Sequence, residues 1–377
     1  MGSTGSVGIQ ALQIIEEQHD YFQAEVLTGF DNSKLLIQQA IKFQPNVVVI
    51  GNDNHYKEVF DALDSLDIQV YSGEKAIEQV LEMDTIDMVL LAIVGFNALK
   101  PLLVALENKK PIALANKESL VVAGQIISER ALESGTKIIP VDSEHSAIFQ
   151  SLMGEFNNPI QKIVLTASGG PFLNLGINEL ETVTVKQALN HPNWDMGDKV
   201  SIDSATMMNK GFEAIAAKWL FDLNPEQIEV VLHPQSIVHS FVYFSDASVK
   251  AQFSVSDMRI PIQFALAYPN RLKNSLEQLD LLKIAKMEFA KIDTEKFSNL
   301  ALAFEALKLG GNIPCVLNAS NEIAVKAFLS GRIGFMQIGK IVEQSIQMFS
   351  AISKPTLNDL FETDFEARIK AEEIINR

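Results

Sequence analysis

The sequence predicts an α/β protein in three parts: an N-terminal Rossmann-like parallel sheet, a central α+β catalytic domain and a C-terminal helical domain. Three observations carry that expectation. Short apolar runs alternate with helix-length segments through the first third, as in a parallel sheet covered on both faces. From about residue 160 the apolar runs read as strands joined by short turns, and beyond residue 298 only helical periodicity remains. At 377 residues the chain has room for two or three domains of ~150 residues.

The chain opens Met1-Gly2-Ser3-Thr4-Gly5-Ser6-Val7-Gly8 and runs into a helical pattern. Glycines at every third position make a tight turn whose N–H groups can meet a pyrophosphate at a helix N-terminus. A plain glycine-rich turn fits the same residues. A strand normally precedes such a loop and only Met1 and Gly2 stand before it, so the first strand is missing and an apolar strand encoded upstream is expected.

Residues 47–51, 68–71, 88–93, 111–115 and 137–141 read as the following parallel strands. Ligands of such sheets gather at the strands' carboxyl ends. Further on, 161–166, 229–232, 237–244 and 249–255 read as strands, the last two joined by 245–248 as an antiparallel hairpin. Helices are expected at 299–310, 319–329, 334–349 and 363–376. The domain boundaries so predicted are 1–140 for cofactor binding, 141–268 for the catalytic and connective part, 269–297 for a linker and 298–377 for the helical part.

Thirty-one Lys and Arg against 47 Asp and Glu leave a net charge of −16. That field repels a phosphate backbone, so no nucleic-acid partner is expected, and an anionic substrate must be captured by a local site. Cys315 is the only cysteine, which fits a reducing, cytoplasmic location. The longest apolar run, 88–96, falls far short of the ~20 residues of a membrane span, and no basic, apolar leader opens the chain, so no membrane partner is expected.

Besides the loop at 2–8, six stretches carry chemistry. Asp31 and Lys34 lie where a dinucleotide fold reads the ribose, which leaves NADH and NADPH both open. Asn116-Lys117-Glu118 follows a strand; capping explains Asn116 and Glu118 but gives Lys117 no purpose. Asp142 and Glu144 stand two apart after the strand 137–141. Two carboxylates there repel unless a cation such as Mg²⁺ or Mn²⁺ joins them, the alternative being a capped helix start with solvated acids. Ser168-Gly169-Gly170 makes a phosphate nest or a plain turn. Residues 191–197 combine His191, Trp194 and Gly197, the make-up of a closing lid or of a loop whose indole packs on the body.

The stretch 201–213 is the most informative. Met208, Phe212, Ile215, Ala216 and Trp219 form a core-facing stripe, and Thr206, Asn209, Lys210 and Glu213 a second one. One helix could therefore supply a phosphate clamp and a third metal ligand, although Lys210 and Glu213 also suit a solvated ion pair. Gly211 inside a helix costs about 1 kcal/mol against Ala, which points to a functional reason for it. His145, His233 and His239 read as structural.

Read in order, Gly-Ser-Thr-Gly-Ser-Val-Gly (2–8), Leu-Ala-Asn-Lys-Glu-Ser-Leu (114–120), Pro-Val-Asp-Ser-Glu-His (140–145), Ser-Gly-Gly-Pro-Phe (168–172) and His-Pro-Asn-Trp-Asp-Met-Gly (191–197) resemble the motifs of the 1-deoxy-D-xylulose 5-phosphate reductoisomerases. So do 203–213, His-Pro-Gln-Ser-Ile-Val-His-Ser (233–240) and Asn-Ala-Ser-Asn-Glu (318–322). The resemblance covers almost the whole chain. It implies conversion of 1-deoxy-D-xylulose 5-phosphate and NADPH to 2-C-methyl-D-erythritol 4-phosphate, the committed step of non-mevalonate isoprenoid synthesis, in a homodimer.

Carried over residue by residue, it implies that Asp142, Glu144 and Glu213 hold Mg²⁺ or Mn²⁺ and, with Lys117, form the catalytic set. Lys117, Ser143, Glu144 and Glu213 would meet the substrate's reacting end. Ser168, His191, Ser204 and Asn209 would bind its phosphate, with Lys210 between. Thr4, Gly5, Ser6, Val7, Gly29, Asn32, Asn116, Glu118 and Gly197 would line the cofactor site. Asp31 departs from the family, which usually has a basic residue beside Asn32. Two other readings stay open: a metal-dependent phosphosugar isomerase or lyase without a redox cofactor, and a cofactor-sensing protein without turnover.

Overall fold

A computed structural model describes residues 1–194 and 196–377; Asp195 lies outside the described residues. The chain forms two compact units. The first takes in Met1–Asn116, Ile127–Ser146 and Met258–Leu276, and the second Lys117–Ile126, Ala147–Asp257 and Glu277–Arg377.

The first unit alternates helix and strand. Helix α1 (Ser6–Glu17) leads to β1 (Val26–Gly29), α2 (Ser33–Phe43), β2 (Val47–Ile50), α3 (Tyr56–Leu63) and β3 (Gln69–Ser72). Then come α4 (Glu74–Gln79), β4 (Val89–Leu91), α5 (Leu99–Glu107), β5 (Ile112–Leu114), α6 (Glu118–Ser134; this unit from Ile127 on), β6 (Ile138–Pro140) and α7 (Ser143–Ser151; this unit as far as Ser146). The strands pair in parallel as two sets, β1-β2-β3 and β4-β5-β6. Residues 1–3 lie between them: Met1 N donates to Leu90 O at 2.9 Å, Ala92 N to Met1 O at 3.0 Å, and Ser3 N to Thr28 O at 2.8 Å. The strand order is therefore that of a doubly wound sheet.

Strand β2 shows why the sheet forms. Its four residues are all buried, and the side-chain period of two divides them between faces. Val48 and Ile50 join Leu12, Leu36 and Leu63 on one side, and Val47 and Val49 join Ile77 and Val80 on the other.

The second unit begins its sheet with β7 (Ile160–Ala167), followed by α8 (Val185–Leu189), α9 (Asp198–Ala205), α10 (Met208–Leu220), β8 (Ile228–Leu232), β9 (Val238–Phe244) and β10 (Val249–Phe253). The order is β10-β9-β7-β8, with β7 and β8 parallel and the expected hairpin β9–β10 antiparallel. Helix α11 (Arg259–Ala267) belongs to the first unit and packs on α1. Short α12 (Leu281–Ile284) precedes the tail helices α13 (Ser298–Leu309), α14 (Ile313–Leu329), α15 (Phe335–Gln347) and α16 (Leu357–Ile375).

Helices α14 and α16 begin six residues earlier than their periodicity predicts. The opening of α14 is buried from Ile313 to Asn321, so no polar face marks it in the sequence. Fully buried Cys315 lies there, its Sγ donating to Leu360 O of α16 at 3.4 Å. Thr356 starts α16 through a capping box with Asp359.

Two expectations about 201–213 are corrected. A Cβ on Gly211 would stand 2.3 Å from Ala303 Cβ, so the glycine lets α10 and α13 approach and needs no catalytic explanation. The expected polar stripe is also interrupted. Met207 takes a left-handed conformation (φ 64°) that ends α9 before α10 starts, leaving Thr206 in the joint rather than on the helix carrying Asn209, Lys210 and Glu213.

Candidate active site

The glycine loop of the first unit is shaped by contact. Gly2 has φ 79°, and a Cβ there would lie 2.8 Å from Ala92 O. A Cβ on Gly8 would lie 2.3 Å from Gly2 O, so only glycine lets α1 start against its own loop. Gly5 caps α1, placing Ser6 and Val7 in its first turn with their N–H groups facing outward along the axis. The Thr4 methyl abuts Gly29 at the carboxyl end of β1. Asn32 caps α2 through Leu35 N at 3.2 Å, and Asp31 accepts from Asn52 Nδ2 at 2.8 Å. Asn116, after β5, donates to Gly95 O at 3.0 Å. Seven of the nine expected cofactor residues thus lie in this unit at strand ends or helix starts; Glu118 and Gly197 belong to the second.

The acidic pair follows β6. Ser146 N donates to Asp142 O at 2.8 Å, which opens α7, and Ser143 Oγ donates to Glu144 Oε2 at 2.8 Å. Asp142, Ser143 and Glu144 are half-buried, and His145 is buried. Partly desolvated carboxylates two residues apart are poor company for one another and good ligands for a hard cation.

In the second unit Glu213 is 1% exposed, and both of its oxygens are occupied. Oε1 accepts from Asn209 Nδ2 at 2.8 Å and Lys117 Nζ at 3.3 Å, and Oε2 accepts from Lys210 Nζ at 2.6 Å. The i, i+3 and i, i+4 spacing on α10 brings the amide and one ammonium to the carboxylate. Lys117 comes from the start of α6. The solvated ion pair considered above is replaced by a buried one, which persists only because every partner is hydrogen-bonded.

The expected phosphate residues gather at the end of β7. Ser168 Oγ lies 3.1 Å from His191 Nε2 and accepts from Gly170 N at 3.2 Å. A Cβ on Gly170 (φ 65°) would be 2.9 Å from Ser204 O, so the nest presses on the end of α9. The ring nitrogen Nδ1 of His191 accepts from Asn193 N at 3.2 Å and Trp194 N at 3.0 Å, which leaves the proton on Nε2, facing Ser168. Asn193 is tied to Pro234 O and Ser236 Oγ, and the Trp194 ring meets His239 edge-on at 6.2 Å, so the indole packs on the body.

Burial lowers the His191 pKa from 6.5 to about 4. The unfolded chain therefore binds the extra proton between those values, and folding stability falls as pH drops through that window. His191→Gln removes this share, so its melting temperature declines less than wild type's between pH 6.5 and pH 4; parallel thermal-melt profiles would contradict the assignment.

Sequence reasoning missed Lys199. This ammonium, on α9, meets Glu118 Oε1 at 2.6 Å and Asp203 Oδ2 at 3.0 Å. Burial alone would lower its pKa, but Asp203 and Glu118 hold it above the ordinary range. Burial likewise acts to raise Glu118, and the Lys199 charge keeps it below. Asp203 moves the other way, its burial outweighing Lys199. The i, i+4 spacing of Lys199 and Asp203 was the available signal.

Family models match three stretches: 1-deoxy-D-xylulose 5-phosphate reductoisomerase over residues 1–124, that enzyme's C-terminal domain over 138–221, and DXP reductoisomerase C-terminal domain over 253–370. The chain is 52% identical over 375 residues to the 1-deoxy-D-xylulose 5-phosphate reductoisomerase of Bacteroides thetaiotaomicron, covering 100% of this chain and 96% of that one. It is 48% identical to that of Porphyromonas gingivalis, covering 100% and 97%. The solved Zymomonas mobilis reductoisomerase with NADPH superposes with a TM-score of 0.91 at 42% identity, covering 99% and 97%. A DOX-P reductoisomerase with NADPH, fosmidomycin and magnesium gives 0.94 at 38%, covering 100% and 97%.

Proposed function

Because the chain belongs to the 1-deoxy-D-xylulose 5-phosphate reductoisomerase family, we propose that it converts 1-deoxy-D-xylulose 5-phosphate to 2-C-methyl-D-erythritol 4-phosphate with NADPH and a divalent cation. The carrying observation is the buried Glu213 carboxylate on α10, with Lys117, Asn209 and Lys210 around it. One rigid helix thereby offers a metal ligand and anion-binding groups together.

Asp142, Glu144 and Glu213 are the metal ligands in this reading. The donor chemistry fits: carboxylate oxygens suit hard Mg²⁺ or Mn²⁺, and similar solved structures hold magnesium. When bound, such a cation polarises the ketone and its neighbouring hydroxyl for the carbon-skeleton rearrangement, and NADPH supplies hydride for the reduction that follows.

The chain's own residues do the rest. Ser168, the Nε2–H of His191, Ser204 and Asn209 bind the phosphate, holding the substrate by an end remote from the reacting carbons so that binding energy serves orientation. Lys210 reaches from that pocket toward the reacting end, where Lys117, Ser143, Glu144 and Glu213 meet the substrate's oxygens. Thr4, Gly5, Ser6 and Val7 receive the cofactor's pyrophosphate at the start of α1, with Gly29, Asn32, Asn116, Glu118 and Gly197 around the rest. Residues 1–140 carry most of the cofactor contacts, 141–268 the metal and phosphate residues, 269–297 the link and 298–377 the helical part.

We read the enzyme as a cytoplasmic homodimer. The supporting features are the lone buried thiol, and the edge strand β10 with Val249 and Phe253 exposed on it. No described helix is long and apolar enough to cross a membrane. Absorbance at the NADPH band is expected to fall when deoxyxylulose phosphate and Mg²⁺ are supplied together and to stay constant when either is withheld. Substrate consumption at constant absorbance would favour the redox-free isomerase or lyase instead.

A further inference from the structure

The stretch 318–322 has no place in the site described above, yet Asn321 reaches a residue beside it. Asp203 is 1% exposed and immediately precedes Ser204 on α9. Its Oδ1 accepts from Asn321 Nδ2 of α14 at 2.7 Å, and its Oδ2 lies 3.0 Å from Lys199 Nζ. We propose that Asp203, clamped between Lys199 and Asn321, is a positioning residue that fixes the phosphate-binding end of α9. The inference rests on the reductoisomerase reading and on Ser204 and Asn209 as phosphate donors.

Three features support it. First, the joint between α9 and α10 is strained. Met207 holds a left-handed conformation that a side chain disfavours, and such a residue persists only where its surroundings over-determine it. One chain of restraints at the joint runs to the Asp203 backbone: Thr206 Oγ1 donates to Asp203 O at 3.2 Å, and Met208 N donates to Thr206 Oγ1 at 3.3 Å, while Met207 N is held by Ser204 O at 3.1 Å. Second, there is no slack on the phosphate side, because the Ser204 carbonyl already lies against Gly170. A small rotation of α9 therefore changes the spacing of Ser204 from Ser168. Third, Asn321 is fully buried and its side-chain oxygen has no hydrogen-bond partner among the described residues. An apolar residue would pack there without that cost, so what the amide contributes is the hydrogen bond its nitrogen gives Asp203.

The test uses the full chain carrying Asn321→Ala. KM for deoxyxylulose phosphate and the inhibition constant of inorganic phosphate are expected to rise together by about tenfold, the scale of one hydrogen bond to a charged group, with KM for NADPH within about twofold of wild type. A lower melting temperature with both phosphate constants unchanged would reduce the contact to ordinary packing and overturn the proposal. If that variant fails to fold, the exchange Asp203→Asn with Asn321→Asp takes its place, since carboxylate and amide then trade ends of one hydrogen bond. Recovery by the double variant of phosphate affinity lost in each single one supports the clamp, and wild-type phosphate constants in both single variants overturn it. Wild type assayed alongside separates the two readings: absence of NADPH oxidation there refutes the family reaction, whereas its presence with unaltered variants refutes only the clamp.

Discussion

Glu213→Gln lowers kcat by at least about a hundredfold at saturating Mg²⁺ while NADPH binding is retained, the loss exceeding what outer-shell changes at metal sites produce. The substitution keeps the side chain's shape and an oxygen for Asn209, but it removes the charge that Lys117 and Lys210 share. The buried Lys210 ammonium and the half-buried Lys117 one would then face a neutral amide, and a hard cation would lose a carboxylate ligand. Glu213 is not one of the nine cofactor residues, and seven of those, the loop at 2–8 included, belong to the other unit, so NADPH binding is expected to be retained. Steady-state turnover across a Mg²⁺ titration, with NADPH binding followed by fluorescence, checks both halves. Wild-type turnover would remove Glu213 from the ligand set.

Gly170→Ala gives the second large effect, and Gly154→Ala is its control. Both glycines have positive φ, 65° and 85°, so an alanine at either pays a left-handed backbone cost of about 1–2 kcal/mol. They differ in what the new Cβ meets. At Gly154 there is nothing within 4 Å; at Gly170 Ser204 O lies at 2.9 Å, with backbone on both sides of it. Overpacking adds about 1–3 kcal/mol there and displaces Ser204 from Ser168. Gly170→Ala is expected to melt lower than Gly154→Ala and alone to raise KM for the sugar phosphate about tenfold or more. Equal melting temperatures and equal KM values would show that the loop and α9 do not press on one another.

Much of this could be read along the chain. The alternation of strand and helix, the loop at 2–8, the acids after β6 and the column Asn209–Lys210–Glu213 are local patterns, and local patterns are set by side-chain periodicity and strand ends. What was hidden depended on distant partners. Lys199 and Asp203 look like a surface i, i+4 pair worth a few tenths of a kcal/mol; only Asn321, 118 residues onward, makes Asp203 a buried partner. Gly211 announces a special backbone need but not its cause, which is Ala303 on another helix. The left-handed Met207 has no sequence signature at all, since glycine is what such a position normally selects. The return of α11 to the first unit was hidden likewise, because its partner α1 lies some 240 residues earlier.

Cys315 gives the helical part a built-in reporter. Its thiol is sealed against Leu360, and burial pushes its pKa well above the ordinary range, so a chromogenic thiol reagent finds neither access nor thiolate while α14 and α16 stay together. The rate at which the untreated protein consumes such a reagent then measures how often those two helices separate, without any label being introduced.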